Sequence, residues 1–334
     1  MYPNFVITGR LSREYVLPPL GNPILDVAGG NLLYAAGGVS IWDRSVGLVG
    51  RVGEDYPRNW LRWFESYGLD TLGIRILPQA LDLRSFVAYT VDMEPNRSNP
   101  VAHFARLGLP FPKALLGYQP SSDTQNGRDQ SDPAVPGVTD VPEDYLNTSA
   151  LHLCPMDITS QSRLLAKFKQ GNVTTISLDP SASYMQPAYQ DELRSLMLGI
   201  TIFMPSQEEL RGLFWGKTND LWEMAEEIAS FGCELIVIKC GSQGQLLYDG
   251  MGKHRWEIPA YPARVADPTG AGDSYCGGFL AGYRVNYDPL EAAMYGNVSA
   301  SLNIEGSGPF YALDVVPGLA RARLASLRDI IREV

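Results

Sequence analysis

Short apolar runs alternate with amphipathic helical patterns along most of this chain of 334 residues, and this alternation limits the folds it can adopt. The run Leu235–Lys239 is apolar apart from its last residue, which is typical of a strand covered on both faces of a parallel sheet. Further strands are predicted at 5–9, 46–49, 150–153, 174–178 and 200–204. The repeated order of strand and helix predicts a doubly wound α/β core, with a mostly parallel sheet flanked by helices. Ligands of such sheets bind beyond the carboxyl ends of the strands.

Three stretches interrupt this order. Residues 10–28 and 84–106 have extended, strand-like patterns with little helix signal, and we expect them to pair into a small sheet outside the core. Residues 117–142 are rich in Pro, Gly, Ser, Asp and Gln and poor in apolar side chains, which predicts a long, flexible surface insertion.

The composition excludes several classes of protein. Hydrophobic residues make up 45% of the chain and charged residues 19%, as in a globular protein with a substantial core. The net charge of −10 argues against a nucleic-acid-binding surface, which would need a basic patch. The four cysteines are scattered, with neither disulfide nor metal-site spacing. Because no signal peptide or long apolar run is present, the sequence predicts a soluble, cytoplasmic protein that does not associate with membranes.

The most informative motif is the turn Asp267–Ser274, with the sequence DPTGAGDS. Gly270, Ala271 and Gly272 let backbone N–H groups converge at the start of a predicted helix, and helix N-termini of this kind bind anions. Asp273 would suit such a site as a base that removes a proton while the amides hold the developing negative charge. Taken alone, the turn has a second interpretation, in which Asp273 only caps the helix.

Two other segments follow predicted strands, and each has two interpretations. The glycines of Lys239–Gly244 (KCGSQG) permit either a close approach of the backbone to a ligand or a simple β-turn. Glu209 either holds a hydrated Mg²⁺ or forms a helix capping box with Ser206. The sequence does not contain a P-loop, because position 211, where that motif requires glycine, is Arg211.

The order of these motifs resembles that of the ribokinase-like carbohydrate kinases, the PfkB family. Asp267–Asp273 matches the family signature Asp-x-Thr-x-Ala-Gly-Asp, which is followed by small and apolar residues. Gly29, Gly30 and the later run Val46–Asp55 resemble the N-terminal signature, including its Gly-Arg-Val-Gly-x-Asp segment. The resemblance extends from about residue 4 to 330, apart from the predicted insertion.

The resemblance implies an ATP-dependent kinase that transfers the γ-phosphate to a hydroxyl of a sugar or sugar derivative. Such transfer depends on alignment of the substrates and on charge stabilisation, which the predicted turn would supply. It implies Asp273 as the general base and the amides of Gly270, Ala271 and Gly272 as an anion hole. Glu209 would position Mg²⁺ through water. The residues implied to contact the nucleotide or its phosphates are Lys239, Gly241, Ser242, Gly244, Asn297, Ser206 and Glu209.

The resemblance also divides the chain into two parts. Residues 1–9, 29–83 and 107–334 would form the kinase core, and residues 10–28 and 84–106 a β lid that excludes water from the substrate. Lids of this fold also form dimer contacts, which leaves a homodimer through the lid open. Asp267 and Thr269 match positions that bind a monovalent cation, such as K⁺, in some members.

The implied substrate pocket departs from the family pattern. Its matching residues are Glu14, Gly29, Gly30, Asn31 and Tyr34. Glu14 stands where many members have a sugar-binding Asp, Tyr34 falls on a substrate-contacting Asn, and Ser206 replaces the Asn of the family's Asn-x-x-Glu motif. The acceptor therefore cannot be inherited from other members. One alternative is a nucleoside kinase in which Tyr34 stacks on a base. The other is a catalytically silent binding protein, although the complete Gly-Ala-Gly-Asp turn favours catalysis.

Overall fold

The computed structural model of the protein describes residues 2–120, 132–327 and 332–333. In chain order, the strands are β1 (Phe5–Thr8), β2 (Ser12–Leu17), β3 (Ile24–Gly29), β4 (Val46–Gly53), β5 (Leu69–Leu77), β6 (Arg84–Tyr89), β7 (Pro95–Asn96), β8 (Ala150–Leu153), β9 (Thr175–Leu178), β10 (Ile202–Phe203), β11 (Leu235–Lys239), β12 (Gln245–Asp249), β13 (His254–Ile258) and β14 (Arg332–Glu333). The helices are α1 (Asn31–Ser40), α2 (Arg58–Ser66), α3 (Pro100–Arg106), α4 (Ile158–Phe168), α5 (Gln190–Met197), α6 (Gln207–Leu213), α7 (Leu221–Ala229), α8 (Ala271–Asn286), α9 (Pro289–Asn303) and α10 (Leu319–Leu327).

Ten of the described strands form one central sheet, in the order β14-β13-β12-β11-β10-β9-β8-β1-β4-β5. The strands from β5 to β11 pair in parallel, and β12, β13 and β14 continue the sheet antiparallel. Two large hydrophobic clusters pack the helices against its faces. The prediction of a doubly wound, mostly parallel sheet flanked by helices is therefore confirmed. The strand order reverses at β1, which lies between β4 and β8, and such switch points are where doubly wound sheets bind ligands.

Helices α1 and α8 pack unusually closely. A side chain at Gly277 would collide with the carbonyl oxygen of Ala35, and one at Gly38 would collide with that of Ser274. The sequence did not predict α1, because glycine is a poor helix former. Burial of Leu32, Leu33 and most of the remaining α1 side chains offsets this cost. The close contact holds the N-terminal end of α8 against α1.

The segments predicted to lie outside the core form a second sheet of four strands, in the order β3-β2-β6-β7. Alternate residues of β2 and β6 face in opposite directions. One face looks toward the central sheet. The other is covered by a small apolar cluster that contains Tyr15, Leu17, Phe86 and Phe104. The small β lid is therefore confirmed, and part of its outer face is packed within the same chain.

Two details of the lid differ from the sequence analysis. Residues 100–106 were expected to be extended but form α3, because Asn99 caps the helix through the amide of Ala102 (3.3 Å) and Pro100 suits its first turn. Leu109, Phe111 and Tyr118 were assigned to the core but pack against the apolar cluster of the lid.

The structure describes only part of the predicted insertion at 117–142. Residues 121–131 lie outside the described residues. Ala134, Val135 and Val141 are buried, contrary to the prediction of a flexible surface loop. Asp140 anchors this end by accepting hydrogen bonds from Arg51 (2.5 Å) and from the amide of Gly137 (2.8 Å). In the part of the chain that the structure describes, no helix is long and apolar enough to cross a membrane.

Candidate active site

A cavity of about 700 Å³ lies between the lid sheet and the carboxyl ends of the central strands. The inner face of the lid contributes alternate residues of β2 and β6, namely Ser12, Glu14, Val16, Ser85, Val87 and Tyr89. From the core come Arg10, directly after β1, and Pro155 to Asp157, after β8. The cavity therefore opens at the switch point of the sheet. The start of α8 reaches it with Gly270 and Asp273.

Asp273 lies in the first turn of α8, but it does not cap the helix. The N-cap residue is Gly270, in a left-handed conformation with φ 72°, and no side chain makes a capping hydrogen bond there. The amide of Ala271 donates to the carbonyl of Pro268 (3.3 Å). The amides of Gly272 and Asp273 have no such bond within the described residues, as expected at a helix N-terminus. These two amides are available to an anion.

The surroundings of Asp273 favour its protonated form. Burial, together with the negative charges of Asp179 and Glu14, raises the pKa of its carboxyl to about 7, while Lys239 and Arg97 oppose the shift. A carboxyl group with a pKa near neutrality suits proton transfer at ordinary pH.

A chain of contacts links Glu14 through Tyr34 to Gly270. The carboxylate of Glu14 accepts hydrogen bonds from the amide of Gly30 (2.9 Å), Ser12 Oγ (3.1 Å) and the hydroxyl of Tyr34 (2.8 Å). The Tyr34 ring lies against the Cα of Gly270, where an added side chain would overlap it. Tyr34 is 3% exposed, so stacking of its ring on a nucleobase is not supported. It instead connects Glu14, on the lid side of the cavity, to the start of α8.

The neighbouring residues of the predicted substrate pocket have structural roles. A side chain at Gly29 would overlap the Glu14 carboxylate, and one at Gly30, which has φ 103°, would overlap the carbonyl of Arg10. The Asn31 side chain accepts from the Arg10 amide (2.8 Å) and donates to the Pro155 carbonyl (3.0 Å). Gly30 and Asn31 line the cavity together with Glu14 and Tyr34.

A buried ion pair lies beneath the start of α8. The ammonium of Lys239 is 2.5 Å from Asp179 Oδ2 and 3.7 Å from Cys276 Sγ. It also lies 3.7 Å from the position that a Cβ atom on Gly272 would occupy. Burial lowers the pKa of Lys239, but the charge and hydrogen bond of Asp179, together with the nearby Cys276 and Glu209, outweigh this and leave the net pKa above its usual value. Lys239 was expected to contact the nucleotide, whereas the structure shows it paired with Asp179.

Ser206 and Glu209 form the capping box that the sequence left open. The Ser206 amide donates to Glu209 Oε2 (2.7 Å), and the Glu209 amide donates to Ser206 Oγ (3.2 Å). Burial, together with the negative charge of the nearby Asp179, raises the pKa of Glu209 to about 7, while Lys239 opposes the shift. One oxygen of Glu209 is engaged by the cap, which leaves the other for a ligand. The described residues contain no preformed cluster of three metal-ligating side chains.

Two of the residues implied to bind the nucleotide, Gly244 and Asn297, contact residues 258–261. Gly241 and Ser242 are exposed in a short 3₁₀ turn after β11. Gly244 has φ 95°, and a side chain there would collide with the carbonyl of Ile258. The Asn297 amide accepts from the Tyr261 amide (2.8 Å) and donates to the Pro259 carbonyl (2.6 Å). Asn297 therefore fixes the shape of this segment.

Asp267 has one oxygen without a partner. Its Oδ1 accepts from the amide of Thr269 (3.0 Å), while Oδ2 is buried and has no hydrogen-bond partner among the described residues. The carbonyl of Thr269 accepts from Asn303 (2.8 Å), and its hydroxyl contacts the hydroxyl of Tyr89 in the lid (3.1 Å). An unpartnered, buried carboxylate oxygen is costly unless a ligand satisfies it.

Sequence reasoning missed three residues of the site. Asp179 ends β9 as a buried acid, and its position after a predicted strand was a usable signal. Tyr89 falls on the cavity face of β6, which the alternation of apolar residues in that segment implies. Arg97 lies in the lid, and no local pattern distinguishes it from other exposed arginines.

The fold and the turn at the start of α8 fit a phosphotransferase that acts on an alcohol group. Comparisons with known proteins give its family. The pfkB family carbohydrate kinase model matches residues 142–314, just over half of the chain. The chain belongs to this family. It is 27% identical to the cytidine kinase of Thermococcus kodakarensis over 280 residues, 84% of this chain and 88% of that protein.

Solved structures confirm the ribokinase-like fold. The nucleoside kinase of Burkholderia thailandensis in complex with inosine matches with a TM-score of 0.70 at 18% identity, over 97% of this chain and 98% of that one. A putative ribokinase II from E. coli in complex with ATP and Mg²⁺ matches with a TM-score of 0.68 at 18% identity, over 98% of this chain and 100% of the other. The protein is therefore a PfkB-family kinase with a ribokinase-like fold.

Proposed function

We propose that the protein transfers the γ-phosphate of ATP to a hydroxyl of a sugar or sugar derivative, with Asp273 as the general base. One observation carries the proposal. Asp273 reaches the acceptor cavity beside the free amides of Gly272 and Asp273, and its pKa is raised to about 7. Base and anion site therefore adjoin the space that an acceptor would fill.

The reaction follows from this geometry. The acceptor hydroxyl loses its proton to the Asp273 carboxylate as its oxygen bonds to the γ-phosphorus and the bond to the ADP oxygen breaks. The amides at the start of α8 stabilise negative charge on the transferring group. Glu14, on the lid side of the cavity, is placed to accept a hydrogen bond from another acceptor hydroxyl. The lid, packed on its outer face against residues 107–118, would exclude water from the core side of the cavity.

The residues present fit a magnesium-nucleotide complex. Mg²⁺ typically keeps several waters and binds one or two protein carboxylates together with substrate phosphates. Glu209 offers one carboxylate oxygen beyond its helix cap, close enough to Asp179 and Lys239 to be influenced by both charges. Bound Mg²⁺ would neutralise phosphate charge there. Gly241, Ser242 and Gly244 offer backbone to the nucleotide, while Asn297 supports the adjoining segment.

A monovalent cation such as K⁺ would satisfy Asp267 Oδ2. We expect replacement of K⁺ by tetramethylammonium to lower kcat/KM about tenfold or more, because an unsatisfied buried acceptor costs about 1–3 kcal/mol. Activity is measured at constant ionic strength in the two salts. Asp267→Asn should remove the difference between them. Equal rates of the wild-type protein in both salts would rule out the cation.

The pH dependence follows from the Asp273 carboxyl. Only the deprotonated form accepts a proton, so kcat/KM should rise with pH up to about 7 and then level off. Below that value it should fall about tenfold per pH unit. Glu209 has a similar pKa and interacts with the same charges, so the apparent value belongs to the coupled system. A flat profile between about pH 5 and 9 would contradict the assignment.

A nucleoside is the second candidate acceptor, and the size of the cavity favours it. About 700 Å³ lies within the range of about 300–1,000 Å³ that holds drug-sized ligands, and is generous for one sugar ring. Val16, Val87 and Met156 give part of its wall an apolar character suited to a base. The resemblance to a cytidine kinase points the same way.

ADP release with a matched panel separates the candidates. Ribose, fructose and sugar acids test the first, and cytidine, inosine and adenosine test the second. Turnover of nucleosides with kcat/KM well above that of free ribose would identify a nucleoside kinase. The silent-binder alternative predicts ATP binding without ADP release with any acceptor. A homodimer through the lid stays a proposal, and its contacts would involve surfaces other than the lid face covered by Phe104.

A further inference from the structure

Arg97 differs from the other arginines of the cavity because it has no ionic partner among the residues that the structure describes. Arg10 pairs with Asp132 (2.7 Å). Arg84 pairs with Asp82 (2.6 Å) and also donates to two backbone carbonyls. Arg97 makes no hydrogen bond or ion pair with the described residues, and it is exposed. Among the described residues, nothing neutralises this guanidinium, which the lid presents to the cavity.

The pairing of β6 with β7 places Arg97 on the face of the lid sheet that lines the cavity. In the antiparallel pair β6–β7, Tyr89 lies opposite Pro95 and Ala88 opposite Asn96. The next position, Arg97, falls opposite Val87. Because alternate residues share a face, Arg97 lies on the same face as Val87 and Tyr89, and all three line the cavity.

Arg97 lies at the reacting end of the cavity. Tyr89 shares its face of the hairpin and contacts the hydroxyl of Thr269, in the turn that leads into α8 (3.1 Å). The charge of Arg97 also acts on both Asp273 and Tyr89, where it lowers their pKa values against the larger effect of burial.

The charges at the reacting end of the cavity leave room for a cation that would bind the phosphoryl group. Glu14, Asp267 and Asp273 supply three acidic groups around the start of α8, and the nearby Lys239 is committed to Asp179. A transferring phosphoryl group adds further negative charge, spread over its three nonbridging oxygens. A guanidinium matches such oxygens with two parallel hydrogen bonds.

We propose that Arg97 is a catalytic arginine carried by the lid, whose guanidinium contacts the nonbridging oxygens of the phosphoryl group during transfer. The inference rests on the proposed function. The acceptor oxygen bonds to phosphorus as the bond to the ADP oxygen breaks, and the acceptor proton goes to Asp273. Arg97 keeps its protons and supplies charge alone. Transfer then requires the lid to be in place, which disfavours hydrolysis of ATP in its absence.

Arg97→Ala tests the proposal, with Arg97→Lys as the conservative variant and Arg106→Ala as the matched control on exposed α3. We expect kcat to fall by about 10²–10³, as for loss of one donor to a developing oxyanion, with KM values largely unchanged. Arg97→Lys should retain an intermediate rate, and Arg106→Ala the wild-type rate. A raised acceptor KM with unchanged kcat would show instead that Arg97 binds an anionic group of the acceptor. Unchanged kinetics would refute any role.

A binding measurement separates this inference from the proposed function. ADP with aluminium fluoride and Mg²⁺ mimics the transferring phosphoryl group and requires no identified acceptor. Arg97→Ala should lose affinity for this mimic and keep its affinity for ADP alone. Equal affinity of wild-type and variant for the mimic would overturn the role of Arg97. If the wild-type protein released no ADP with any acceptor, the proposed function would be refuted. The binding of the mimic would still decide whether Arg97 binds the phosphoryl group.

Discussion

Asp273→Asn is expected to lower kcat at least about 100-fold, because a positioned general base contributes about 10²–10⁴ to the rate. Asparagine has nearly the same shape but cannot accept the acceptor proton. Since no side chain caps α8, the substitution removes no capping bond. The variant should therefore fold normally and bind ATP as the wild-type protein does. Steady-state ADP release and equilibrium nucleotide binding measure the two effects.

The control for this variant is Asp43→Asn, which changes a carboxylate on the connection between α1 and β4, away from the cavity. It should leave kcat unchanged. The Asp273 variant should also lose the rise in rate near pH 7, since that rise reports its carboxyl. More than about a hundredth of the wild-type rate in Asp273→Asn would show that another group accepts the proton.

The sequence predicted those parts of the site that depend on local backbone. The Gly-Ala-Gly-Asp turn needs only its own residues and the following helix, and the structure places Gly270 at the N-cap with a positive φ, as glycine permits. The doubly wound core was predicted for the same reason, since its apolar strands are continuous in sequence. Helix α1 was missed because its glycines serve contacts with segments more than 200 residues away, Gly38 with α8 and Gly37 with the carbonyl of Pro309.

The sequence did not predict which side chains of distant segments pair with each other. The chain pairs Lys239 with Asp179, 60 residues earlier, a contact that the family resemblance, which assigned this lysine to the nucleotide, did not include. Tyr34 likewise reaches Glu14 in the lid and the Cα of Gly270, which changes it from an expected base-stacking ring to a spacer. Both results depend on topology that brings strand ends together, which no local pattern encodes.

Lys239→Met is expected to lower the free energy of unfolding by about 3–5 kcal/mol, the cost of breaking a buried ion pair by removing one partner. Asp179 would be left buried with neither oxygen paired to a cation, and its Oδ1 already has no partner among the described residues. Methionine fills much of the space of the lysine stem, so loss of packing contributes little. Urea denaturation followed by fluorescence measures the change.

Two further variants show whether the charge causes the loss. Lys239→Met combined with Asp179→Asn removes both charges and should recover a large part of the stability, because no unpaired ion then stays buried. Lys217→Met removes an exposed lysine and should change stability by less than about 1 kcal/mol. A similarly small effect of Lys239→Met would show that the pair is solvated.

In Lys239→Met the inflection of kcat/KM should also move above pH 7, because Lys239 lowers the pKa values of both Asp273 and Glu209. This shift separates an electrostatic role at the anion site from stability alone.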